Sequence, residues 1–242
     1  MIAKHASPAV KKAWYPLFLD LSASRCLVVG AGRGGCRKID ALLRGGVGEI
    51  LVLDTAWPAM QETWTAGLQQ AMTAGRAVFC QRQFRAQDVN GCALVFAATG
   101  DRKVNAAVTA AARERGIPCN SADAPYAGDF MTPARVDAGD ICLALCTGGE
   151  SPALSARIRR EVAAWLGERY DGLCRLMGCL RPLVLALGHD SEHNGELFRR
   201  IVQSPLAECL AQRDREASER LLRELLPQEL HPNIAELLDE SV

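Results

Sequence analysis

Short apolar runs alternate with amphipathic stretches over the first half of the chain. Residues 25–30 (RCLVVG) are apolar, β-branched and closed by glycine, which predicts a buried strand. Residues 32–46 predict a helix, with Ile39, Leu42 and Leu43 on one face and Gly45-Gly46 as the stop. The runs 49–54 (EILVLD), 77–81, 92–98 (CALVFAA) and 117–120 predict further strands. Helices are predicted between them over 58–75, opened by Pro58, and over the alanine-rich stretch 101–115. Strands alternating with helices imply an α/β fold, a parallel sheet with crossover helices on both faces.

The texture changes after Asn120. Residues 129–136 and 140–146 predict two strands joined by a tight turn at Asp137-Ala138-Gly139, and TGGESP leads into a long helix over 152–166. From Tyr170 onward the chain is helical and Leu-rich, with breaks at 188–195, Pro205, Pro227 and Pro232. The expected organisation is a Rossmann-type nucleotide domain over 1–120, a small α+β central segment over 121–150 and a helical C-terminal domain over 151–242. A lone hairpin is marginal by itself. The apolar run 141–146 therefore fits a strand buried against something outside its own sheet.

Composition narrows the function classes. The 242 residues are 49% hydrophobic and 23% charged, as in a globular protein. The chain holds 28 Lys+Arg against 28 Asp+Glu, so no long-range positive field is expected and nucleic acid is not an expected partner. It contains no run of about 20 apolar residues, so no membrane-spanning helix is expected. The N-terminus shows no apolar stretch of signal-peptide length, and a cytoplasmic protein is expected. The ten cysteines then read as reduced, several as core thiols. Cys142-x3-Cys146 and Cys174-x4-Cys179 do not form paired CxxC knuckles, which leaves a structural zinc as the lesser reading.

The first predicted strand runs into Gly30-Ala31-Gly32-Arg33-Gly34-Gly35, a G-x-G-x-x-G between strand and helix. The glycines allow a tight turn, a close approach of backbone to a pyrophosphate, and close packing of helix on sheet. The helix N-terminus offers free N–H groups to phosphate. Asp54 ends the second strand, with Thr55 behind it. A carboxylate there accepts from a ribose 2′-hydroxyl and repels a 2′-phosphate, which favours NAD. The alternative is a structural glycine turn with Asp54 serving the backbone. Thr99 and Gly100, after the fourth strand, are expected beside the cofactor, whereas Asp101 is a candidate cap for the next helix.

Four stretches carry a more specific resemblance. They are Tyr15-Pro16-Leu17-Phe18; GAGRGGCRK at 30–38; AATGDRKVN at 97–105; and CNSADAP, DFMTPA and CTGGESP within 119–152. Over roughly residues 14–170 the chain resembles the precorrin-2 dehydrogenase family, the N-terminal module of siroheme synthases. Gly34 and Gly35 stand where that family has Val and Ala, and the acid at Asp54 is closer to the general dinucleotide pattern. No methyltransferase segment is expected in these residues.

The resemblance implies NAD-dependent removal of two hydrogens from precorrin-2 to give sirohydrochlorin. It also implies a homodimer with intertwined central segments, and in bifunctional relatives insertion of Fe²⁺ or Co²⁺ as co-substrate. Asp123 corresponds to the family's key aspartate and is expected to take a proton; on the residues alone it is equally a turn former before Ala-Pro. Asn120 is a candidate substrate-binding residue; Asn105 and Asn120 bridge loops near the site or satisfy turn backbone. Thr147 or Ser151 caps the long helix, whose start, with Thr147, Gly148, Ser151 and Arg157, is the candidate binding region for substrate carboxylates. Arg159 and Arg160 lie on the same helix. His189 and His193 read as loop residues rather than as ligands of a metal, and no resident metal is expected. The competing reading is a non-catalytic NAD-binding sensor that keeps the fold. An unrelated small-metabolite dehydrogenase lacks a visible catalytic His or Tyr-x3-Lys.

Overall fold

The computed structural model describes residues 13–56, 66–124, 127–167 and 169–241. The chain divides into two compact units, residues 1–132 and 133–242, where the sequence places boundaries near Ser121 and Glu150.

The first unit is a five-stranded parallel sheet in the order β3-β2-β1-β4-β5. Its strands are β1 (Arg25–Val29), β2 (Glu49–Asp54), β3 (Ala77–Gln81), β4 (Cys92–Ala97) and β5 (Cys119–Ser121). The helices are α1 (Arg33–Arg44), α2 (Ala66–Thr73) and α3 (Arg102–Glu114), with a 3₁₀ turn at Ala86–Val89. The predicted start at Pro58 lies outside the described residues. Alternate side chains of the strands feed two cores. Cys26, Val28, Ile50 and Val52 pack under Ile39, Leu42 and Leu68 on one face. Leu27, Val29, Leu53 and Val95 pack under Val108 and Ala112 on the other. Both faces are covered, so the strands read as continuous apolar runs. The chain adds β2 and β3 to one side of β1 and then crosses over to place β4 and β5 on the other, and this reversal between β1 and β4 opens a crevice at the strand C-termini.

The second unit begins with an antiparallel hairpin, β6 (Ala134–Ala138) and β7 (Ile141–Leu145). β6 starts later than predicted because residues 129–132 are used by the first unit. The Asp129 carboxylate accepts from the Cys119 N–H, Phe130 packs edge-on against Phe96 at 5.2 Å, and Lys38 donates to Thr132. The helices are α4 (Pro152–Leu166), α5 (Asp171–Ala186), α6 (Ser191–Gln203), α7 (Leu206–Ala211), α8 (Arg215–Leu225) and α9 (Ile234–Glu240), with a 3₁₀ turn at Gln228–Asn233. Leu176, Leu180, Ile201, Leu222 and Ile234 form their core. Arg175 pairs with Asp171 at 3.1 Å and reaches the Ser241 carbonyl, tying α5 to the end of α9.

The break predicted over 188–195 is shorter than expected. Asp190 caps α6 by accepting from the His193 N–H, and buried Asn194 donates to the His189 carbonyl, so Ser191 onward is helical. His193 is therefore a helix residue and not a loop residue. The His189 and His193 rings lie 4.6 Å apart and are exposed. Cys146 is also exposed, although it ends an apolar run.

Candidate active site

Gly30 leaves β1 with φ +101°, a conformation open to glycine, and a Cβ there would meet the Ala98 carbonyl at 2.5 Å. A Cβ on Gly35 would meet the Gly30 carbonyl at 1.8 Å, so this third glycine is what lets α1 settle against the turn. Gly32 and Gly34 face open space. Gly32 caps α1 without a side-chain acceptor, which leaves first-turn N–H groups for an external anion. These features fit a dinucleotide pyrophosphate.

The loop borders a cleft of about 540 Å³ at the C-terminal ends of β1, β2 and β4, the size range of ligand sites. Gly30, Gly32, Asp54, Thr55, Thr99 and Gly100 line it. Arg33, which is exposed, and Gly34 and Gly35 are not part of the lining. Asp54 serves the backbone. Its Oδ2 accepts from the Ala31 N–H at 2.6 Å and its Oδ1 from the Ala56 N–H at 3.1 Å. It thus fixes the glycine turn, and its oxygens keep acceptor capacity toward the cleft.

Arg82, Gln83, Phe84, Val104 and Ala107 also line the cleft and were not picked out from the sequence. The signal for Arg82 is its place directly after β3, at the sheet edge where ligands gather. Phe84, Val104 and Ala107 supply an apolar wall suited to a flat heterocycle.

Asp101 caps α3, its carboxylate accepting from the Lys103 N–H at 2.7 Å. One turn further on, Asn105 is 1% exposed and saturated. Its Nδ2 donates to the Thr99 carbonyl at 3.1 Å and to Asp123 Oδ1 at 2.8 Å, and its Oδ1 accepts from the Thr99 N–H at 3.1 Å and hydroxyl at 2.7 Å. Ser121 donates a second bond to Asp123 Oδ1 at 2.9 Å. One amide thus joins the cleft residue Thr99 to the carboxylate. Desolvation acts to raise the Asp123 pKa, but the Ser121 and Asn105 hydrogen bonds and the Arg102 charge outweigh it and hold the carboxyl below its ordinary value. Asp123 is exposed, so an ionised acceptor anchored from beneath faces outward. Pro125, also part of this motif, lies outside the described residues.

Asn120 is buried and spends its amide on the Phe130 carbonyl at 2.9 Å, a structural tether. In the second unit Ser151, not Thr147, caps α4 by accepting from the Leu154 N–H. Thr147 instead shares a 2.7 Å bond with Ser155. Gly148 donates to Cys146 Sγ, and Arg157 is paired with Glu161 and exposed. Among the described residues no three His, Cys, Asp or Glu side chains gather as a metal set, and no helix is long and apolar enough to cross a membrane.

A family described as "Putative NAD(P)-binding" matches residues 17–134. Siroheme synthase of Methylococcus capsulatus is 35% identical over 211 residues, 87% of this chain and 43% of that protein. Siroheme synthase 1 of Halorhodospira halophila is 34% identical over 220 residues, 90% of this chain and 44% of that one. The chain is a siroheme synthase homologue. It spans less than half the length of these siroheme synthases. Among solved structures, SirC, a precorrin-2 dehydrogenase, superposes with a TM-score of 0.65 at 21% identity over 93% of this chain and 99% of its own, so the two share a fold.

Proposed function

We propose that this siroheme synthase homologue is an NAD-dependent precorrin-2 dehydrogenase that forms sirohydrochlorin for siroheme synthesis. The observation that carries the reading is the Thr99–Asn105–Asp123 connection, which ties an ionised carboxylate to a residue of the cleft that the glycine turn borders. The relatives' siroheme chemistry and the fold shared with SirC support the same substrate.

Oxidation of precorrin-2 removes a hydride and a proton. NAD, when bound, supplies the hydride acceptor. Gly30, Gly32 and the first turn of α1 would hold its pyrophosphate, Asp54 its adenosine ribose, and Thr99 and Gly100 its nicotinamide half. Asp123 takes the proton on its carboxylate, and Asn105 and Ser121 fix the direction of the accepting oxygen. Thr147, Gly148, Ser151 and Arg157 are assigned to substrate carboxylates.

An anaerobic assay with precorrin-2 and NAD tests the reading through NADH absorbance and sirohydrochlorin formation. Asp123→Ala should lower turnover by about 10²–10⁴-fold while leaving nucleotide binding intact. Nucleotide binding without turnover by the wild type would favour the sensor reading instead.

The same carboxylate is suited to accept pyrrole protons as Fe²⁺ or Co²⁺ enters sirohydrochlorin. Metal-dependent loss of the sirohydrochlorin spectrum above a no-enzyme control would extend the proposal to chelation. We also assign the hairpin to a homodimer contact, because β7 leaves Leu143 partly exposed. Sedimentation velocity tests it, and a monomer at micromolar concentration would refute it.

A further inference from the structure

Among the described residues that line the cleft, Arg82 alone carries a positive charge. It follows Gln81, which pairs across the sheet with Asp54 and donates to the Thr55 carbonyl. Arg82 thus stands on the side of the cleft where Asp54 would meet the adenosine ribose. A guanidinium at that place is the usual partner for a ribose 2′-phosphate. Here, however, it is already engaged. Arg82 Nη1 and Nη2 bind the two oxygens of Asp88 at 2.8 and 2.9 Å, and Nη1 also donates to the Gln83 carbonyl at 3.1 Å. The Asp88 side chain is only 6% exposed, and its Oδ2 also accepts from the Arg85 N–H at 2.8 Å. The anchor is therefore part of the folded 82–89 turn and does not swing away as a surface acid would.

We propose that the Arg82–Asp88 pair is a cofactor selector that holds the site to the unphosphorylated ribose of NAD. Asp88 neutralises the cation that a 2′-phosphate would require, and Asp54 supplies a like charge against it. A fork-shaped guanidinium in a bidentate pair keeps one orientation, and here three of its five N–H donors are spent on Asp88 and the Gln83 carbonyl, so it walls the adenosine end with its charge already matched. The inference rests on the nucleotide reading of the cleft and extends it to the identity of the adenosine ribose.

The test uses the full chain, with ADP-ribose and 2′-phospho-ADP-ribose as probes and calorimetry as the readout, so that it does not depend on turnover. The wild type should bind ADP-ribose more tightly. Asp88→Asn frees the guanidinium and should improve the 2′-phosphorylated ligand by about tenfold relative to ADP-ribose, the worth of one charge-assisted contact. Adding Arg82→Ala to that variant should cancel the gain. If Asp88→Asn fails to fold, Arg82→Lys carries the test, because a lysine cannot reproduce the two-point pairing and the ratio should narrow several-fold. An unchanged ratio in the variant that folds overturns the selector, as does a wild type that prefers the 2′-phosphate. Failure of both probes to bind would overturn the nucleotide reading and the selector together. ADP-ribose binding with the expected ratios but no precorrin-2 oxidation would sink the dehydrogenase assignment and leave the selector standing.

Discussion

Asn105 is the residue on which the site turns. Its amide uses both donors and its acceptor oxygen on Thr99 and Asp123, so neither a flipped amide nor a carboxylate fits without losing bonds. Removing it leaves the half-buried Thr99 N–H without its acceptor, a cost of about 1 kcal/mol. The pH behaviour follows from the same contacts. Asp123 has a depressed carboxyl pKa, so the ionised form persists as pH falls through the ordinary carboxyl value of about 3.9 and is lost only below it. If Asp123 is the base, the acid limb of kcat/KM lies below that value. Ser121→Ala removes one of the bonds that lower the pKa and should move the limb upward. A limb that stays in place on Ser121→Ala would separate Asp123 from the proton step. Cys26 is shifted the other way: burial pushes its thiol up to about 11, so it serves as a small core hydrophobe and stays unreactive at neutral pH.

At the scale of elements, the tightest constraint lies where α1 meets the glycine turn. The Gly30 carbonyl occupies the place of a Cβ on Gly35. Gly35→Ala, though it restores the residue common in the resembling family, should therefore cost about 1–3 kcal/mol of overpacking, read as a lower urea midpoint with an unchanged m-value. An unaltered midpoint would mean that the turn relaxes freely. At the start of α4, Ser151→Ala should cost about 1 kcal/mol through loss of the cap, whereas Thr147→Val should cost less because Thr147 caps nothing. The strands, helices and glycine turn were legible because period and punctuation are local signals. The start of β6 and the onset of α6 were not. The first depends on residues 129–132 being held by Cys119, Phe96 and Lys38, and the second on a buried asparagine that reaches back to His189.

At the scale of the whole molecule, the cleft, the glycine turn and Asp123 all belong to the first unit, which carries its own two cores. The helices α5–α9 are held by a separate core. A ligand that binds only the folded first unit stabilises it by mass action, by about 2.7 kcal/mol at a hundred times its Kd. Saturating ADP-ribose should thus raise hydrogen-exchange protection in β1, β2 and β4 more than in α5 and α6. Equal protection throughout would mean that the chain unfolds as one cooperative block.

The amino-acid sequence by itself determined the α/β class, the parallel order implied by alternating strands and helices, and the placement of Gly30, Asp54, Thr99 and Asp123 at strand ends. All of these follow from residue types and spacings a few positions apart. Tertiary structure decided which of those groups act on one another. Asn105, held to Thr99, reaches Asp123 across 18 positions, and Asp54 reaches back 23 positions to the Ala31 N–H. Arg82 is claimed by Asp88 only because the turn after β3 folds the acid beneath it. Hydrogen bonds depend on distance and angle in space, and distance along the chain carries neither once the sheet has formed.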